Sequence, residues 1–174
     1  LNVDITRQSL DKEIKDDLIK LAKKSNIKEK IKAMASGSKI NFSENRSVDH
    51  LNLRKVERFN TQEWDKLVTF TNSILTSKKF EYIVNVGVGG SDLGPMMINQ
   101  ALKDFHQGPE IFYVSNIDPT NMSDVLEKCN PLKTLFIITS KSFGTLETLE
   151  NAKVAKNWLS VANKSINDSM VAIT

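Results

Sequence analysis

Apolar residues in the second half of the chain form four short runs, separated by segments with helical periodicity. The runs are Tyr82–Val88, Ile111–Val114, Leu135–Ile138 and Met170–Ile173. Uninterrupted apolar runs are typical of parallel strands covered on both faces, with helices as the crossover connections. The pattern predicts an α/β fold with a doubly wound parallel sheet, an αβα sandwich of flavodoxin-like strand order 2-1-3-4.

The first part of the chain has the periodicity of helices instead. Apolar side chains recur on one helical face between residues 10 and 24, and Ser9 is a candidate N-cap. A second short helix is predicted at 27–35. Further along, Asn60 and Glu63 match a capping box, which predicts a third helix starting there.

The change from helices to strands suggests a domain boundary near residue 78. We expect an N-terminal helical segment at 1–78 and the sandwich domain at 79–174. Within the sandwich domain, Pro95 suits a first-turn position and predicts a helix from Pro95 to about Phe105. The sequence begins without Met and ends in an apolar run, so we expect both ends to be cuts through a larger protein.

Composition excludes several classes of function. The net charge is only +3 and the lysines are dispersed among acids, so no basic stripe for nucleic acid is expected. No apolar run approaches membrane-spanning length. The single cysteine, Cys129, excludes an internal disulfide and favours a cytoplasmic location. Because no Cys/His cluster or suitable acid is present, we expect no metal site.

A glycine-rich loop follows the first predicted strand. Gly89 and Gly90 precede Ser91, close to the start of the predicted helix. Asp92 stands where a dinucleotide fingerprint has its third glycine, and Ser115 stands where it has an acid, so that fingerprint fails. The glycines could serve only the backbone turn. Their N–H groups at a helix start nevertheless favour an anion.

A second polar loop follows the third predicted strand. Three hydroxyls and one lysine lie within one turn of a predicted helix N-terminus: Ser140, Lys141, Ser142 and Thr145. One hydroxyl alone would be explained as an N-cap, but the whole set suits a phosphate monoester. In the order 2-1-3-4, strands one and three are neighbours, so both loops should flank one crevice.

These loops resemble those of a known family. The segment from Val86 to Pro95 resembles the glycine loop of the glucose-6-phosphate isomerase (phosphoglucose isomerase) family. Residues 114–118 resemble its second strand and turn, and residues 138–148 resemble its phosphate loop. The resemblance covers nearly the whole chain in order.

The resemblance implies an isomerase, usually dimeric, that interconverts glucose 6-phosphate and fructose 6-phosphate through a cis-enediol in glycolysis and gluconeogenesis, without a cofactor. It implies a sugar phosphate as the small-molecule partner. The residues that it assigns to substrate and phosphate binding are Gly90, Ser91, Ser140, Lys141, Ser142 and Thr145. Further candidates beside the same loops are Gly89, Gly144 and Glu147.

In that family the general base and its partners come from a later part of the sequence. We therefore expect no catalytic residue in this chain, a general base after Thr174, and no isomerase activity of this fragment alone. One alternative left open is a non-catalytic phosphosugar-binding regulatory module of the same fold. Another is a different isomerase or transaldolase-fused enzyme that shares this domain. None of these interpretations involves nucleic acid or a membrane.

Overall fold

A computed structural model describes residues 2–48 and 50–174, with the side chains of Leu53, Arg58 and Asn60 outside the description. The helices and strands of this part are α1 (Lys12–Lys24), α2 (Ile27–Ala35), α3 (Gln62–Ser77), β1 (Tyr82–Val86), α4 (Gly90–Ala101), β2 (Glu110–Val114), α5 (Pro119–Lys128), β3 (Thr134–Thr139), α6 (Leu146–Val161) and β4 (Met170–Ile173). Short 3₁₀ helices lie at Asn52–Arg54, Val56–Asn60, Lys103–Phe105 and Pro131–Lys133. None of the helices in the described residues is long and apolar enough to cross a bilayer.

The four strands form one parallel sheet in the order β2-β1-β3-β4. Val86, the last residue of β1, pairs with Val114 on one side and with Ile138 on the other. This confirms the predicted α/β class and strand order. It also brings the carboxyl ends of β1 and β3 side by side, where ligands bind in sheets of this type.

The main core lies between one face of the sheet and the helices α5 and α6. Alternate strand residues point to this face, and the fully buried ones among them at the centre of the sheet are valine, isoleucine or phenylalanine. The buried cluster comprises Val84, Val86, Val114, Met122, Val125, Cys129, Phe136, Ile138, Ala155 and Leu159. Burial also raises the pKa of the Cys129 thiol.

The opposite face of the sheet packs against α4. The hydroxyl of Tyr113 in β2 donates to the carbonyl of Pro95 at 3.2 Å, which ties α4 to this face. An apolar cleft of about 670 Å³ lies between α3, α4 and the strands, lined on the sheet side by Ile83, Leu135 and Ile137 among others.

Contacts divide the chain into two compact units, Leu1–Asp65 and Lys66–Thr174. The division lies within α3, earlier than the boundary we expected at residue 78. The larger unit contains the sheet and most of α3. In the smaller unit, α1 and α2 bury no side chain among the described residues, although α1 has the predicted amphipathic stripe.

One predicted N-cap is wrong, and the other falls on a side chain outside the described residues. Helix α1 begins at Lys12, and Asp11 caps it by accepting the N–H of Ile14 at 2.8 Å, instead of Ser9. At α3 the hydroxyl of Thr61 accepts the N–H of Trp64 at 3.3 Å. The side chain of Asn60, the cap that we predicted there, lies outside the described residues.

The predicted start of α4 is also wrong. The helix begins at Gly90 and not at Pro95, which lies inside its second turn. Proline removes one intrahelical donor, so an interior position requires another partner for the carbonyl four residues earlier. That carbonyl belongs to Ser91, and its partner is described below.

Candidate functional site

Both polar loops open into one cleft at the carboxyl ends of β1 and β3. The cleft has a volume of about 300 Å³. Its lining residues come from the ends of the two strands and the starts of the two following helices: Val88, Gly90, Ser91, Thr139, Ser140, Lys141, Ser142, Thr145 and Thr148. The cleft thus brings together all six residues for which the sequence predicted substrate or phosphate binding.

The other three candidates lie beside the cleft instead of lining it. Gly89 precedes α4 with a φ of 62° and ψ of −119°, a conformation that glycine adopts readily. Gly144 lies in the second loop, where an added Cβ would be 3.6 Å from the Ser142 hydroxyl. Glu147 is in the first turn of α6, where the helix dipole favours a carboxylate.

Ser91 is held close to the end of β1 by the glycine at position 87. A Cβ on Gly87 would lie 2.8 Å from the Cβ of Ser91 and 2.8 Å from its carbonyl oxygen. Contacts that short do not occur between real Cβ atoms and their neighbours, so only glycine fits here. Gly87 therefore has a definite steric role in positioning one of the cleft residues.

The N-terminus of α4 points its positive end towards the cleft. Hydrogen bonding in the first turn begins with Ser91 donating to Val88 at 3.2 Å and Leu93 donating to Gly89 at 2.8 Å. Gly90 and Ser91 are the first helical residues and both line the cleft. Partial positive charge at this position favours an anion.

The second loop is shaped by hydrogen bonds from its own residues. The buried Ser140 hydroxyl accepts the N–H of Phe143 at 3.1 Å, and the Ser140 N–H donates to the carbonyl of Ile173 at 3.0 Å. Phe143 has a φ of 51°, which a bulky side chain rarely adopts. The hydroxyl of Ser140 keeps its own proton, so it can still donate to a ligand.

Thr145 is the N-cap residue of α6, yet its hydroxyl makes no capping bond within the described part of the chain. The interpretation of this hydroxyl as a simple helix cap therefore does not apply. Ser142 and Lys141 are exposed at the mouth of the cleft. The first-turn N–H groups of α6 add donors beside these side chains, as at any helix start.

Asp92 follows Ser91 but is not among the residues that line the cleft. It is 5% exposed, and its Oδ1 has no hydrogen-bond partner among the described residues. The pKa of Tyr113 is raised by burial and by the negative charge of Asp92. A carboxylate in this place is unlike the glycine of a dinucleotide site, which agrees with the failed fingerprint.

The sequence analysis missed three lining residues, Val88, Thr139 and Thr148. Thr139 ends β3 immediately before Ser140, and Thr148 lies one turn after Thr145 in α6. Their positions next to predicted residues could have indicated them. Across residues 2–48 and 50–174, no three His, Cys, Asp or Glu side chains cluster in a way that would hold a metal ion.

Comparison with known proteins gives this cleft its context. The sequence pattern of one family, described as phosphoglucose isomerase, matches residues 4–174. The chain belongs to the phosphoglucose isomerase family. The resemblance first drawn from the two loops is thus confirmed over almost the whole chain.

Several relatives of this family resemble the chain closely. A glucose-6-phosphate isomerase from Buchnera aphidicola is 42% identical over 160 residues, covering 81% of this chain and 29% of the relative. One from Aspergillus oryzae is 40% identical over 175 residues, covering 89% of this chain and 32% of the relative. The chain therefore spans about a third of the length of these phosphoglucose isomerase relatives.

A solved structure supports the same family at the level of the fold. The crystal structure of a glucose-6-phosphate isomerase from Chlamydia trachomatis matches with a TM-score of 0.67 and 27% identity. The match covers 94% of this chain and 35% of the solved one. The structural match to this phosphoglucose isomerase thus extends over nearly the whole chain, including the sheet.

Proposed function

We propose that the full-length protein carrying this chain interconverts glucose 6-phosphate and fructose 6-phosphate, and that this chain supplies the phosphate anchor. The observation that carries the proposal is the single cleft in which Ser91 and the second loop meet. Its hydroxyls, its lysine and two helix N-termini are the groups that bind a phosphate monoester.

The anchor contributes to the reaction by positioning the substrate. Held at its phosphate, an open-chain sugar keeps its carbonyl and the adjacent carbon at a fixed distance from the cleft. A base can then abstract the proton from the carbon next to the carbonyl, which gives a cis-enediol. The protonated base returns this proton to the former carbonyl carbon, and the neighbouring carbon becomes the new carbonyl. Binding energy from the remote phosphate lowers the entropic barrier for this transfer.

The proton-transferring base belongs to another part of the full-length protein in this proposal. Asp92 and Glu147 are next in sequence to residues that line the cleft, but neither is among the lining residues. We therefore propose that the chain alone binds the substrate weakly and does not catalyse the exchange.

The test is exchange of the C2 proton of glucose 6-phosphate in deuterated water, followed by NMR, for the full-length protein and for residues 1–174. The full-length protein should exchange this proton and form fructose 6-phosphate, whereas the chain alone should not exceed the buffer rate. A full-length protein that binds the sugar phosphate without exchange would instead be a regulatory binding module.

The cytoplasmic location and the homodimer implied by the family resemblance belong to the same proposal. The buried, unpaired thiol of Cys129 supports a reducing compartment. Analytical ultracentrifugation of the full-length protein would test the homodimer, for which we expect a mass in solution of twice that of the monomer. Fractionation of cells that express it would test the location.

A further inference from the structure

The strand β1 contains one polar side chain inside the protein, that of Asn85. It is 6% exposed and has valines on either side in the strand. A buried amide destabilises the fold unless its nitrogen and its oxygen find hydrogen-bond partners. Its partners therefore indicate why an amide occupies this position.

The amide of Asn85 bonds to both halves of the cleft. Its Nδ2 donates to the carbonyl of Ser91 at 2.9 Å, and its Oδ1 accepts the hydroxyl of Thr139 at 3.0 Å. Ser91 lies in the first turn of α4, and Thr139 directly precedes Ser140 of the second loop. One side chain thus joins the two loops from beneath, without lining the cleft itself.

Pro95 explains why the carbonyl of Ser91 accepts a side-chain donor. In a regular helix this carbonyl would accept the N–H of residue 95, which proline lacks. The proline ring also crowds the carbonyl four residues earlier and turns it away from the helix axis. The amide of Asn85 takes the place of the missing helical donor.

We propose that Asn85 is a positioning residue for the phosphosugar site. It fixes the first turn of α4 against the end of β3, so that Ser91 and the second loop reach the same phosphate. The identity of the substrate rests on the proposed function above, but the positioning role concerns any phosphate ligand of the cleft.

The test uses a rescue that the proline makes possible. In the full-length protein, Asn85→Ala should raise the KM for fructose 6-phosphate about five- to tenfold, the loss of one or two buried hydrogen bonds, with kcat changed less than about twofold. Adding Pro95→Ala restores a backbone N–H for the Ser91 carbonyl. The double variant should recover most of the lost affinity, which a general loss of stability would not allow.

Asn151→Ala is the matched control. Asn151 is an equally buried amide, 4% exposed, whose Nδ2 donates to the carbonyl of Asn116 at 2.7 Å, outside the cleft lining. Its removal should lower the melting temperature but leave KM within about twofold. Equal KM increases in the Asn85 and Asn151 variants, an unchanged KM in Asn85→Ala, or no recovery with Pro95→Ala would each overturn the proposal.

Two further measurements keep the test decisive. Should Asn85→Ala fail to fold, Asn85→Asp keeps the volume and the acceptor for Thr139 but loses the donor to Ser91, and it carries the same KM prediction. Calorimetric titration with inorganic phosphate measures the affinity of the cleft for phosphate and does not depend on catalysis. An inactive wild type would then count against the proposed function alone, whereas equal phosphate affinity of wild type and Asn85 variant would overturn the role of Asn85.

Discussion

A methyl group placed on Gly87 would lie 2.8 Å from the Cβ of Ser91. Because the contact also involves the Ser91 carbonyl oxygen, the first turn of α4 would have to shift. We expect Gly87→Ala to raise the KM of the full-length protein for fructose 6-phosphate about tenfold or more, as for the loss of a hydrogen bond to a charged group. Steady-state kinetics would measure this.

Gly94→Ala is the control for this prediction. Gly94 lies in the same helix, and an added Cβ would meet nothing within 4 Å. Alanine should therefore leave KM unchanged and stabilise the helix by about 0.5–1 kcal/mol. If both variants bound fructose 6-phosphate like the wild type, the contact between residues 87 and 91 would have no role in the site.

The hydroxyls of Ser140 and Thr145 should respond differently to removal. Ser140→Ala deletes the acceptor of the Phe143 N–H, so we expect a loss of about 1–2 kcal/mol in the free energy of unfolding as well as weaker binding. Thr145→Ala deletes no capping bond, so the free energy of unfolding should change by less than about 0.5 kcal/mol while KM rises. Chemical denaturation and kinetics would separate the two.

A large loss of stability in Thr145→Ala with unchanged KM would mean that this hydroxyl is structural. Ser91→Ala provides a parallel measurement on the other side of the cleft. Loss of the Ser91 hydroxyl should raise KM by the equivalent of about 1–3 kcal/mol in binding free energy. The melting temperature should stay nearly unchanged.

The N-cap of α5 predicts a dependence of stability on acid. The pKa of Asp118 is lowered by the hydrogen bond that its carboxylate accepts from the N–H of Thr120 at 2.8 Å. A lowered folded-state pKa means that the stabilisation is present above the unfolded pKa of about 3.9 and is lost as pH falls through the folded value. Asp118→Asn keeps a hydrogen-bond acceptor that does not titrate, so its stability should fall less than that of the wild type as the pH is lowered.

Melting temperatures measured from about pH 6 to about pH 3 would test this, because that range spans the unfolded pKa of an aspartate. Asp118→Ala should melt lower than the wild type at neutral pH, because it lacks the cap entirely. An Asp118→Asn variant with the same acid dependence as the wild type would contradict the assignment to this carboxylate.

The sheet and its order could be predicted because the four strands are mostly apolar and alternate with segments of helical periodicity. Helix starts were predicted less well, since they depend on partners outside the local sequence. Pro95 has the local signature of a first-turn proline, yet α4 starts five residues earlier at Gly90. Asn85, which provides the replacement donor, belongs to the preceding strand.

The residues of the cleft could be predicted because they follow strands one and three, which the sheet places side by side. The amide beneath the cleft could not be assigned from the same pattern. Asn85 interrupts an apolar run in the sequence, but its two partners are known only once Ser91 and Thr139 have been placed around it.

The central claim is that one phosphate group contacts both loops of this cleft. A crystal structure of the full-length protein soaked with fructose 6-phosphate would test it most directly. We predict the phosphate within hydrogen-bonding distance of Ser140, Ser142 and Thr145 on one side and of Ser91 on the other. Phosphate bound at a distant basic patch, with the cleft unchanged, would contradict the account.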